Sequence, residues 1–270
     1  MKQFLSFEVE RSEDTMIQKK AMLIDITMCI GCNSCQRACK ETNHLSDVEE
    51  KKLSPSAYTA LEEFDGVFVR RMCQHCQDPT CASVCPVGAL TKTPEGPVVY
   101  DVDKCIGCRY CMQSCPFQVP RYDWTSTNPR IYKCILCTDR VKQGLPTACA
   151  EACPTGATKF GNRDELLAEA YARMKAEPGK YIDKVYGQEE VGGTSILYLS
   201  GVPFENLGFK TTLQKTPLPA LTWNVLSKIP NIVTIGGAFL YGIWCITNRR
   251  DEVKEYEEQM KHKDHENSNS

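Results

Sequence analysis

Sixteen of the chain's 17 cysteines fall into four quartets, and no other feature limits the fold so sharply. They are Cys29, Cys32, Cys35 and Cys39; Cys73, Cys76, Cys81 and Cys85; Cys105, Cys108, Cys111 and Cys115; and Cys134, Cys137, Cys149 and Cys153, with only Cys245 left over. The first and third quartets read CxxCxxCxxxC, which supplies three thiolates from one tight loop and throws the fourth away from them. The second stretches one gap to four residues and the last opens one gap to eleven, yet both keep a final CxxxC followed by proline. The first quartet alone ends in lysine, at Cys39-Lys40.

Cysteines in this number serve a disulfide scaffold, zinc sites or iron-sulfur clusters, and spacing separates the three. A zinc site usually takes two ligands from each of two separated CxxC knuckles to complete a tetrahedron. The tight run is instead that of bacterial ferredoxins, whose fourth cysteine binds the other cluster of a pair. All sixteen positions are cysteine, so the expectation is four 4Fe-4S centres with none reduced to a three-iron form. Gly31 and Gly107 let the backbone turn close to a cluster, where its N–H groups can bond to sulfur and tune the potential. Arg37, Lys40, Arg109 and Lys133 either tune it by charge or are solvated surface.

An internal repeat decides which quartets pair. After Cys85 the segment PVGALTKTPEGPVVYDVDKC reads as two short strands around a Pro94-Glu95-Gly96 turn, leading straight into Cys105. The fourth quartet leaves through CPTGATKFG, which matches CPVGALTKT, but no quartet follows it. The missing incoming half stands at the other end, where KAMLIDITMCIGC (20–32) parallels VVYDVDKCIGC (98–108). Quartet four followed by quartet one thus repeats quartet two followed by quartet three. Crossing the fourth ligands then gives cluster one to Cys29, Cys32, Cys35 and Cys153, and cluster two to Cys39, Cys134, Cys137 and Cys149. Cluster three takes Cys73, Cys76, Cys81 and Cys115, and cluster four takes Cys85, Cys105, Cys108 and Cys111.

Together CIGCNSCQRACK, CQHCQDPTCASVCP, CIGCRYCMQSCPFQVPRYDW and CILCTDRVKQGLPTACAEACPTGATKFG, with the following VYGQEEVGGTSILYLSGVPFENLGF and an apolar C-terminal segment, carry a resemblance over nearly the whole chain. The sequence resembles the four-cluster iron-sulfur subunits of membrane-bound respiratory oxidoreductases, the family of formate dehydrogenase beta subunits and hydrogenase-2-type electron-transfer subunits. The internal repeat and the apolar C-terminal segment point to an α+β fold of two ferredoxin-like modules, one inserted in the other, plus a single C-terminal transmembrane helix. The resemblance implies a wire between a catalytic subunit, of molybdenum or tungsten formate dehydrogenase type or nickel-iron hydrogenase type, and a quinone-linked membrane cytochrome subunit. The family's ligand pairing agrees with the crossed one, and its members often lack proline after the first quartet.

The expected organisation is an N-terminal extension (1–19), a double ferredoxin-like domain (20–160, with modules 20–39 plus 134–160, and 73–116), an extension (161–228), a membrane helix (229–247) and a polar tail (248–270). Within the extension NRDELLAEAYARMKAEP reads as a helix: Asn162 caps it, Glu165 sits at capping-box spacing, Pro178 stops it, and Leu166, Leu167, Ala170, Tyr171 and Met174 share one face. VGGTSILYLSGVPFENLGF reads as a strand and turns that serve as scaffold or partner contact. Ile229 to Thr247 carries no charge, and as a helix it spans about 28 Å, close to a bilayer core of about 30 Å. Gly236, Gly237 and Gly242 suit close packing on another membrane helix. Arg249 and Arg250 then favour a cytoplasmic C-terminus, with the cluster domain periplasmic on a bacterial cytoplasmic membrane. The tail is charged and polar and is expected to fray at its end. The N-terminal segment shows neither an apolar h-region nor a twin arginine, so export would rely on a signal-bearing partner.

A formal net charge of −2 leaves no basic footprint for nucleic acid. An enzyme in its own right would need an acid-base or nucleophilic constellation or a nucleotide loop, and neither GxGxxG nor a Walker-type loop occurs. His44 and His75 read as structural, and the membrane segment contains no histidine to bind haem b. The leading expectation is therefore a subunit passing electrons from catalytic partner to membrane partner. A reductase subunit drawing on quinol, or a zinc-binding interaction module, is the alternative.

Overall fold

The computed structural model describes residues 18–268, so nearly all of the expected N-terminal extension lies outside the described residues. The chain divides into two compact units, one ending at Pro219 and the other beginning at Ala220. In the first, β1 (Lys20–Asp25) leads through a 3-10 turn into α1 (Ser34–Thr42), and the hairpin β2 (Thr59–Phe64) and β3 (Val67–Met72) follows. Next come α2 (Thr80–Ser83), the hairpin β4 (Leu90–Lys92) and β5 (Val98–Tyr100), α3 (Tyr110–Ser114), and the short pair β6 (Arg121–Tyr122) and β7 (Ile131–Tyr132). Then α4 (Thr138–Lys142), α5 (Ala148–Glu151), β8 (Thr158–Asn162), α6 (Arg163–Ala176) and β9 (Ile196–Leu199) complete the unit's regular structure. The helices and strands are mixed, as the sequence predicts.

The strand entering the first quartet finds its partner at the far end of the domain. β1 runs antiparallel to β8, with Lys20 opposite Asn162 and Ile24 opposite Thr158. Its other edge pairs in parallel with β9, Met22 opposite Ile196 and Asp25 opposite Leu199. Strand alternation sends successive side chains to opposite faces. Met22, Ile24, Ile196 and Tyr198 therefore enter one core with Val69 and Met72, while Ala21, Leu23, Leu197 and Leu199 pack beneath Leu166 and Ala170 of α6. Both faces of β9 are thus covered and all four of its residues are buried, which makes it scaffold.

The equivalent strands around the third quartet form a local hairpin, with Leu90 opposite Tyr100 and Lys92 opposite Val98. β2 and β3 turn at Asp65-Gly66, whose φ values of 48° and 79° suit the tight turn that hairpin twist demands.

At the start of α6, Asn162 stands at the N-cap but makes no side-chain cap bond. Its Oδ1 accepts from Lys20 Nζ at 2.7 Å and its Nδ2 donates to Glu165 at 2.8 Å, so the expected capping box gives way to a cross-strand tether. Leu166 and Ala170 are buried as the helical stripe predicts, whereas Tyr171 is exposed and bonds Gln188. The helix ends at Ala176, two residues before Pro178.

In the second unit, α8 (Ile229–Ser268) continues from the uncharged run into the polar tail. It is preceded by another apolar helix, α7 (Leu218–Leu226), so the apolar helical stretch starts earlier than Ile229. Among the described residues one helical segment, Leu218–His262, is long and apolar enough to cross a membrane, with a mean hydropathy of 1.6 in its best window.

Candidate metal centres

Each quartet opens with a CxxC turn, and the four turns share one backbone shape. The residue before the second cysteine is left-handed in all four, with φ of 73° at Gly31, 47° at His75, 70° at Gly107 and 55° at Leu136. Side chains rarely adopt that region, so glycine is the cheap solution, and His75 and Leu136 hold it against a steric cost. The turn aims backbone amides at sulfur: Leu136 N–H donates to Cys134 Sγ at 3.3 Å and Gly107 N–H to Cys105 Sγ at 3.4 Å. The exit turns act similarly, with Ala89 N–H donating to Cys85 Sγ at 3.3 Å. Successive N–H groups converging in this way form an anion-binding nest.

The structure gathers the cysteines across quartets. Cys29, Cys32 and Cys35 line one cavity together with Cys153, beside Phe68 and Arg70. Cys134, Cys137 and Cys149 line a second together with Cys39, and Arg70 reaches this one too. Cys105, Cys108 and Cys111 line a third with Cys85, walled by Tyr100 and Ile131. Around Cys76 stand Cys73, Cys115 and Cys81, which after burial itself are the groups pushing its thiol well above the ordinary value. Cys245 lies alone on the second unit.

The spacing of the thiols separates a cluster from a single ion. Among the described residues no three His, Cys, Asp or Glu side chains converge closely enough to hold one metal ion. A tetrahedral zinc, with Zn–S bonds of about 2.3 Å, would need such convergence. Four soft thiols that face one another without converging on a single point, with amides aimed at sulfur, fit an iron-sulfur cluster.

Burial pushes the Cys39 and Cys81 thiols up to about 12 and Cys111 to about 11. Cluster ligands are thiolates, so binding releases these protons and the metal makes up the cost of the buried charge. Cys32 is exposed and its thiol is lowered, chiefly by the Ser34 hydroxyl.

Of the cations flagged by sequence, Lys40 is buried but neutralised, its Nζ bonding Ser46 O and Ser56 O at 2.8 Å and Glu50 at 3.3 Å. Arg109 lies over the rings of Tyr122 and Trp124, at 5.5 and 5.3 Å. Lys133 is buried and donates to Val98 O at 2.6 Å and Cys134 O at 3.0 Å. Arg37 is exposed and donates to Cys32 O. His75 is fully buried, and its Nδ1 accepts from Val98 N–H at 2.9 Å, tying the second quartet to β5. Sequence reasoning passed over Arg70, and it passed over the Asp65-Gly66 hairpin whose turn dipeptide was legible.

Fold and site together define a 4Fe-4S dicluster protein, and the 4Fe-4S dicluster domain family matches residues 64–163 and again residues 28–89. The hydrogenase-2 operon protein HybA of Escherichia coli O157:H7 is 38% identical over 234 residues, 69% of this chain and 71% of that one. The iron-sulfur subunit of the nitrate-inducible formate dehydrogenase of Escherichia coli K12 is 37% identical over 200 residues, 66% of this chain and 67% of that one. The formate dehydrogenase-O iron-sulfur subunit of the same organism is 31% identical over 265 residues, 87% and 86% of the two chains. The chain belongs to the family of formate dehydrogenase and hydrogenase-type iron-sulfur subunits.

Proposed function

We propose that the chain carries electrons through four 4Fe-4S clusters, ordered one, two, three, four, between a catalytic subunit and a quinone-linked membrane subunit. The gathering of each fourth cysteine with the opposite quartet carries this reading. Residues 20–39 with 134–160 then form an outer module holding clusters one and two, and 73–116 an inserted module holding three and four. Each bound cluster supplies one-electron redox chemistry. The chain's own part is to hold the thiolates, donate N–H groups to sulfur and keep water out with Phe68, Tyr100 and Ile131.

Electrostatic proximity between the groups supports the order. Cys35 feels the charge of Cys149, joining groups one and two. Cys134 feels Cys73, joining two and three, and Cys81 feels Cys111, joining three and four. Electron tunnelling falls steeply with distance, so a row of neighbours conducts where a scattered set does not. Burial fits a row with group one at an accessible end: three of the four cysteines of group two are buried, while Cys32 of group one is exposed.

The exposed, apolar helical segment suits a single membrane anchor. With Arg249 and Arg250 just after the uncharged run 229–247, the C-terminus is cytoplasmic and the clusters lie on the opposite face. Metal and sulfide analysis of the full chain tests the cluster reading, with about sixteen irons expected per chain. A colourless protein carrying about four zinc ions overturns it. Mass spectrometry of co-purifying subunits then identifies the catalytic and membrane partners, and their absence from the purified complex would overturn the proposed placement in the wire.

A further inference from the structure

Two adjacent arginines sit on β3, and the strand sends them to different places. Arg71 stays near the surface, paired with Glu62 at 2.8 Å and stacked over Phe209 at 4.4 Å. Arg70 is only 3% exposed. Its Nε donates to Thr59 Oγ1 at 2.9 Å, and its Nη1 donates to Thr158 Oγ1 at 3.3 Å and lies 3.6 Å from Met22 Sδ. Among the described residues no carboxylate forms an ion pair with it, unlike buried Lys40 and half-buried Arg173, which pair with Glu50 and Asp25.

A buried cation without an anion is costly, so its counter-charge has to be sought. Arg70 lines the cavities of both group one and group two. Thr59 on β2 and Thr158 on β8 clamp it from two elements, so the charge is fixed in place between the two groups.

We propose that Arg70 is the shared counter-ion of clusters one and two, a positioning residue that raises the reduction potential of both. This rests on the cluster reading above. With its four thiolates an oxidised cluster is a dianion, and one electron from the preceding donor makes it a trianion with no proton or bond exchanged. A fixed positive charge favours the more negative state, and one charge shared by two neighbours acts on both. Cluster four, whose cavity Arg70 does not line, is the internal control.

The test is potentiometric EPR titration of the full chain in its complex, with dithionite as reductant and signals assigned by cysteine variants. Arg70→Met removes the charge and keeps a long flexible side chain. At the wild-type midpoint the reduced-to-oxidised ratio of clusters one and two is expected to fall at least tenfold, about 59 mV for a one-electron couple. Cluster four stays within twofold, and Arg70→Lys recovers most of the shift. Midpoints that do not move, or that move equally in all four clusters, overturn the proposal, as does a lysine variant displaced as far as methionine. If Arg70→Met loses iron, Arg70→Lys decides alone: full loading with near-wild-type midpoints supports the counter-ion role, and loss of clusters one and two despite the retained charge refutes it. Wild-type iron is measured first, so failure of the cluster reading shows there and failure of the Arg70 role shows only in the midpoints.

Discussion

Around Cys105 the entering strand β5 finds its partner β4 just across the turn, whereas around Cys29 the entering strand β1 must wait for β8 on the far side of the intervening chain. The cysteine pattern and the CxxC turn are the same in both places, so the difference lies in closure. A local hairpin costs little loop entropy, but two strands alone are marginal. The long-range closure costs more and is reinforced accordingly, with β9 on the second edge of β1 and α6 over one face. The local module leans on the long-range one: Lys20 N–H donates to Glu95 O at 2.7 Å, and Ser195 N–H donates to Gln74 O at 3.1 Å. A strand entering a CxxC turn is thus paired in two ways, once by its neighbour in sequence and once by a strand more than a hundred residues away.

Ligand substitutions test that equivalence most severely. Cys115→Ser is expected to remove or perturb the cluster held by Cys73, Cys76 and Cys81 and to leave that of Cys105, Cys108 and Cys111 nearly unchanged in EPR, with about four irons at stake. Cys153→Ser should do the same to the cluster of Cys29, Cys32 and Cys35 and spare that of Cys134, Cys137 and Cys149. Loss of each serine's own run instead would break the crossed pairing in that module. Next in size are core truncations. Leu23→Ala and Leu90→Ala each remove a buried leucine and cost about 2–5 kcal/mol. Hydrogen exchange should show the first loosening β1, β8 and β9 together and the second confined to β4 and β5; equal spreading from both would erase the distinction.

The joint between the modules comes third. Gly96 has φ of 122°, and a Cβ there would lie 2.6 Å from the Lys20 carbonyl oxygen. Gly96→Ala should cost about 1–3 kcal/mol and raise exchange at both Lys20 and the β4–β5 turn. The smallest effect is at α6, where Glu169 pairs with Lys159 at 2.6 Å and with Arg173. Burial would raise the Glu169 carboxyl, but hydrogen bonds from Lys159 and Arg173 hold it below its ordinary value of 4.5. The folded-state value is the lower one, so its stabilisation is present above that pH and is lost as acid titrates through the depressed value. Glu169→Gln should cost about 0.5–1 kcal/mol near neutral pH and flatten the acid limb of a stability profile, leaving β4 and β5 untouched.

Much of this was legible because cysteine spacing is local chemistry. The quartets, the repeat, the hairpin between Cys85 and Cys105 and the helix after Gly161 all follow from patterns a few residues long. Arg70 was not legible: Arg70 and Arg71 are equally charged, and only the distant arrival of Thr158 beside Thr59 makes one of them an inward residue. The Asn162 cap was read correctly as a position and wrongly as a bond, since Lys20, its strand partner, takes the oxygen. The continuation of α8 has a plainer cause. No glycine or proline occurs after Gly242 to stop the helix, and polar contacts such as Asn248 to Glu252 at 3.0 Å lie one turn apart along it.

The four left-handed turns carry one more consequence. In the middle of the proposed row the bend is occupied by Leu136 and His75, both almost wholly buried, while at its two ends it is occupied by glycines flanked by Ile30 and Ile106, more than 60% exposed. A conductor is useful when it is sheathed along its length and bare at its terminals. The same backbone bend does both jobs here, and whether it is sheath or terminal depends on the presence or absence of one side chain.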